Sequence, residues 1–62
     1  MTKKMKEYVA EALEKMRQCA KDSETDPEEA HSSADTILCD VLEKFGCKEL
    51  VDEFEIVYKW YA

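Results

Sequence analysis

The stretch Asp26-Pro27-Glu28-Glu29-Ala30-His31-Ser32-Ser33-Ala34-Asp35-Thr36-Ile37-Leu38-Cys39-Asp40-Val41-Leu42-Glu43-Lys44-Phe45-Gly46 decides the fold. It is bounded by a helix start and a helix stop. Asp26 suits an N-cap, Pro27 suits the first helical position, and Glu29 stands where a capping box places its acid. Glu28 and Glu29 also complement the positive end of a helix dipole. Gly46 suits the left-handed position that ends a helix, with Cys47 packing back on Leu42 as in a Schellman motif. Between these ends Ala30, Ala34, Ile37, Leu38, Val41, Leu42 and Phe45 recur at helical spacing. The stretch predicts a helix over about 27–45.

Outward from it, the same periodicity recurs on both sides. Met5, Val9, Ala12, Leu13, Met16, Cys19 and Ala20 predict a helix over about 2–21. Its other face carries Lys3, Glu7, Glu11, Glu14, Gln18 and Lys21. After Gly46, Leu50, Val51, Phe54, Val57, Tyr58 and Tyr61 predict a third helix over about 48–61. Two short connections make neighbouring helices antiparallel. The expected fold is all-α, one antiparallel three-helix bundle over 1–62. Residues 28–35 should then meet Met16–Ala20 and the segment 58–62.

Composition agrees with this. The chain has 62 residues, 45% hydrophobic and 39% charged, with one glycine and one proline. That is too apolar for a disordered acidic tail and too poor in turn residues for an all-β fold. A domain of this size buries only about 60% of the surface its unfolded chain exposes, so its core is thin. No apolar run reaches the ~20 residues of a membrane span, and the basic start MTKKMKEY lacks the apolar stretch of a signal peptide. Cys19, Cys39 and Cys47 are odd in number and have no secretory context. They read as reduced thiols, and a cytoplasmic location is expected.

The net charge of −6 is unevenly placed. Residues 1–21 hold six basic and three acidic groups, and residues 22–62 hold three basic and twelve acidic groups. The stretch 22–43 has eight acids and neither lysine nor arginine. Such a surface is a poor direct binder of nucleic acid, whose phosphates need Lys and Arg. It favours a basic partner.

Polar side chains interrupt the middle helix's apolar stripe. At 100° per residue His31 falls between Leu38 and Leu42, and Asp35 lies at the stripe's edge. Both should be at least partly buried, and buried polar groups need partners. Asp35 itself, Tyr58, Trp60, Tyr61 and Cys19 are the candidates for a structural polar cluster around His31. A nucleophilic Cys19–His31 pair oriented by Asp35 is the sharper alternative, but no Gly-rich turn offers an oxyanion site. A site that responds to the ionisation of His31 is a third. Zinc would prefer a CxxC-type pair or histidines four apart, and the chain has neither. No cofactor and no metal are expected.

The third helix carries a second apolar feature. Ile56 and Trp60 are four apart and nearly opposite Phe54 and Tyr58. A patch with tryptophan is a favoured interface anchor. Trp60 could equally fold over the end of the first helix. A homodimer through Ile56 and Trp60 would relieve both the patch and the thin core.

Two resemblances bear on function. Glu28 and Glu29, with Glu49 and Asp52, resemble the acidic motifs of the MazG-type nucleotide pyrophosphohydrolases, which collect magnesium around a phosphate chain. Ser32 stands where that motif has its third glutamate. The elements Ala30-His31-Ser32-Ser33-Ala34-Asp35 and Lys59-Trp60-Tyr61-Ala62 resemble a small family of short acidic helical proteins from phages, prophages and bacteria. The resemblance covers about 26–62 and carries no assigned activity. It groups His31, Asp35, Trp60 and Tyr61 as one unit.

The expected function is a non-enzymatic protein-interaction module. Ile56 and Trp60 would anchor it, and Glu49, Asp52 and Glu53 would help select a basic partner. The alternative is a phage-type anti-defence inhibitor, a DNA mimic or anti-CRISPR-like protein, acting on a nucleic-acid-binding protein in the host cytoplasm. A metal-dependent hydrolase of MazG type is a remote third.

Overall fold

The computed structural model describes residues 1–57. Three helices follow in order: α1 (Lys3–Asp22), α2 (Pro27–Lys44) and α3 (Lys48–Ile56). The fold is all-α, as expected, and the first two helices match their sequence boundaries to within a residue.

The ends of α2 use the predicted chemistry, save for one half of the capping box, and α1 has a cap the sequence reading did not name. Thr2 Oγ1 accepts from the Met5 amide at 3.1 Å and caps α1. Asp26 Oδ1 accepts from the Glu29 amide at 3.2 Å and caps α2. The reciprocal half of a capping box is not needed, because the Asp26 amide donates to the Asp22 carbonyl at 2.9 Å. That bond closes the α1–α2 turn without a glycine. At the other end of α2, Gly46 adopts φ +85°. The Cys47 amide then donates to Leu42 at 2.9 Å and the Gly46 amide to Glu43 at 3.0 Å. These two bonds make the predicted Schellman motif.

The third helix is shorter than the periodicity predicts. It ends at Ile56, and Val57 turns extended at ψ 127°. The rest of the expected helix, from Tyr58 on, lies outside the described residues.

Neighbours run antiparallel. Met5 and Tyr8 of α1 lie beside Lys44 and Phe45 at one end of α2, and Met16 and Cys19 lie beside Ala30 and Ala34 at the other. The Lys44 ammonium sits 5.6 Å from the Tyr8 ring centre, a cation–π contact across that seam. Leu50 of α3 is level with Leu42, and Phe54 lies towards Asp35. Met16, Cys19 and Ala20 therefore meet the start of α2 as expected. The other half of that expectation involves 58–62 and lies outside the described residues.

The helices lie side by side in one layer. Among the described residues α1 and α3 do not touch, so α2 is the middle helix. The Cα positions span 38 × 27 × 9 Å. The Cα atoms of one helix lie on a cylinder about 4.6 Å across and stacked helices sit about 8–10 Å apart, so a 9 Å extent leaves no room for a second layer.

This geometry limits the core to the seams. Among the described residues only Ala30, Cys39 and Val51 are buried. Ala30 faces α1, while Cys39 and Val51 meet between α2 and α3. Leu13, Leu38, Leu50, Phe54 and Val57 were expected inside, yet they are 48%, 56%, 61%, 40% and 62% exposed. The reason is the missing α1–α3 contact. A closed bundle shields a wide apolar stripe on each helix, whereas a layer shields only the lines where helices touch.

Candidate functional site

Two apolar grooves mark one face of the layer. The first, about 290 Å³, runs between α2 and α3 and is walled by Leu38, Leu42, Leu50 and Phe54, with Cys39 and Val51 as its floor and Asp35 at one end. The second, about 260 Å³, runs between α1 and α2 and is walled by Met16, Cys19, Ala20, Ala30, His31 and Ala34. His31, Ala34, Leu38 and Leu42 follow one another at intervals of three and four along α2. They form one stripe, so both grooves open on the same side.

The opposite side differs in character. There the α1–α2 seam is a small dent of about 30 Å³ lined by Tyr8, Glu11, Lys15, Ile37 and Asp40. Thr36 and Glu43 share the Asp40 side of α2 and are exposed. Three amphipathic helices laid in a row must put their surplus apolar width somewhere, and here most of it, Ile56 apart, faces one way.

His31 and Asp35 stand inside the apolar stripe. Their Nδ1 and Oδ1 atoms are 3.5 Å apart, so the i,i+4 pairing read from sequence is present. Burial is uneven: the His31 side chain is 63% exposed and that of Asp35 only 13%. The expectation of a half-buried His31 is corrected, since a position central to the stripe faces out of a single layer. Asp35 is half-buried, as expected. Cys19 does line the same groove as His31. Among the described residues none of the three cysteines is joined in a disulfide. Tyr58, Trp60 and Tyr61, the other expected members of the cluster, lie outside the described residues.

The expected binding residues fall on the outer edge of α3. Glu49, Asp52 and Glu53 are exposed. Asp52 pairs with Lys48, whose ammonium lies 3.0 Å from Oδ2. The hydrogen bond and charge of Asp52 raise the Lys48 pKa above its ordinary value. Ile56 is 75% exposed and lines neither apolar groove. Trp60 lies outside the described residues, so the Ile56–Trp60 patch is represented only by its first member.

The acidic residues of the MazG-like reading are not brought together. Glu28 and Glu29 open α2, while Glu49 and Asp52 open α3. Because α2 and α3 are antiparallel, those two starts lie at opposite ends of α2, about 20 Å apart at 1.5 Å per residue. Among the described residues no group of three or more His, Cys, Asp or Glu side chains is placed to hold a metal ion.

Sequence reasoning missed Leu13, Leu38, Leu50, Phe54 and Val57 as surface residues. The available signal was the width of the stripes, which exceeds what so short a chain needs for two seams. Compared with family models, curated proteins and solved structures, the chain matches none. No described helix is long and apolar enough to cross a membrane.

Proposed function

We propose that the protein is a non-enzymatic interaction module that binds another protein through the apolar face of its helix layer. The carrying observation is the exposure of Leu13, Leu38, Leu50 and Val57 beside a core of three small side chains. Contiguous apolar surface of this kind marks interaction sites. Glu49 and Glu53 lie on the outer edge of α3 next to that face and favour a basic partner, with Ile56 as an apolar contact at the rim; Asp52, two residues from Leu50, belongs to the same proposal from the other side of the helix. Trp60 belongs to the same proposal as an anchor.

The test is retention of a partner from the source cell on immobilised wild type and on Leu38→Asp. Loss on the variant with helicity retained supports the reading. Equal retention on both overturns the assignment to this face.

A second reading has its own support. Seven of the eight acids in 22–43 are exposed, Asp35 being the exception. A surface of carboxylates without Lys or Arg suits a mimic of nucleic-acid phosphates, as in an anti-defence inhibitor of phage type. In that case a retained nuclease or DNA-binding protein would be displaced by moderate salt or by competing DNA. Retention indifferent to both would count against mimicry.

A further inference from the structure

We infer that the occupant of the apolar face is a second copy of this chain, packed face to face with α1 of each copy over α3 of the other. This rests on the proposal that the apolar face is an interaction surface, and it commits that surface to one partner.

Three observations lead there. The first is area. The Cα extents of 38 by 27 Å bound a face of at most roughly 1,000 Å², the same order as the ~800 Å² per partner that a stable interface buries. One further layer suffices, and it would turn two one-helix sheets into a six-helix, two-layer core. The second is composition. Leu13, Leu38, Leu50 and Val57 carry no charge and span all three elements of the layer. A self-complementary apolar face is what an isologous two-fold interface requires.

The third is charge, and it selects the orientation. Each copy carries −6, so stacking like edges is penalised. Beyond Leu13, the outward side of α1 presents Lys6, while Arg17, eleven residues on and so on the same side of the helix, is already held by Glu14 at 3.1 Å. The outward side of α3 presents Glu49 and Glu53. A two-fold axis running along the helices exchanges the two edges, so basic α1 faces acidic α3. An in-plane axis across the helices would instead set α1 on α1 and α3 on α3. Both helices begin at the same end of α2. The first arrangement therefore keeps Lys6 of one copy level with Glu49 and Glu53 of the other.

The orientation is testable because α1 and α3 do not touch within one chain. A 1:1 mixture of unlabelled and nitrogen-15-labelled protein is treated with a carbodiimide, which joins a lysine amine to a carboxylate without a spacer. Products are read by mass spectrometry. The expected result is mixed-isotope links from Lys6 to Glu49 or Glu53, with sedimentation giving twice the 7.2 kDa chain mass. Leu38→Lys should raise the dimer dissociation constant at least tenfold while far-UV circular dichroism is kept. If that variant loses its helicity, Leu50→Lys serves, since Leu50 is more exposed still.

A monomer at millimolar concentration overturns the inference, with residues 58–62 of the same chain or a foreign protein then covering the face. So does a dimer that survives both leucine variants, or links that join only α1 to α1. A monomer that still retains a cellular partner, lost on Leu38→Asp, would leave the interaction-module reading standing without this inference.

Discussion

The two seams of the molecule make an instructive contrast. Between α1 and α2 run 20-residue and 18-residue helices. Ala12, Met16 and Cys19 of α1 are half-buried there, Ala30 is closed in, and a cation–π contact pins one end. Between α2 and α3 the partner has only nine residues. Its hold is Val51 against Cys39, while Leu50 beside it stays in solvent. Long helices bury many part-shielded side chains, whereas a short one depends on a single well-placed residue. The first seam should therefore be redundant and the second fragile.

Val51→Ala strikes the fragile seam and should have the largest effect. Removing two buried methyl groups and leaving a gap costs about 2 kcal/mol. Denaturant unfolding would measure the loss, and α3 amides should lose hydrogen-exchange protection before those of α1 and α2. Uniform loss across all three helices would mean that the seams are not independent.

Gly46→Ala tests the hinge that feeds α3. A side chain would meet no atom within 4 Å there, so the cost comes from the backbone at φ +85° and not from crowding. The expected destabilisation is about 1–2 kcal/mol, in the range for a non-glycine forced into the left-handed region. Asp26→Ala acts on the opposite hinge. It removes the cap of α2 at a cost of about 1 kcal/mol. Its effect should fall on the first turn of α2 and reach α3 less than Gly46→Ala does. Thermal melts combined with residue-level exchange would separate the two.

Lys48→Met should have the smallest effect, because the ion pair with Asp52 is exposed. The sign with pH is fixed. Asp52 raises the folded-state pKa of Lys48, so the pair stabilises below the ordinary lysine pKa and is lost as pH rises through the raised value. The melting difference between wild type and Lys48→Met should shrink towards zero in strongly alkaline buffer. A difference that grows with pH would contradict the assignment.

Much of this was legible in the sequence. Asp26 with Pro27 and Gly46 with Cys47 place the ends of α2, because caps are decided by backbone groups within a few residues of the side chain that satisfies them. The i,i+4 meeting of His31 and Asp35 is legible for the same reason. The end of α3 was less so: apolar periodicity continues past Ile56, and Val57 leaves the helix although valine there fits the pattern.

The local elements, then, belong to the sequence: three helices, their caps, antiparallel neighbours and the acidic stretch after residue 21. These follow from contacts only a few positions apart along the chain. The tertiary structure alone decided that the helices lie in a row. Leu13, Leu38, Leu50 and His31 have the same helical spacing in a closed bundle as in an open layer. Whether they end in a core or on a face depends on whether α1 and α3 close over α2, and periodicity within one helix carries no information about that contact.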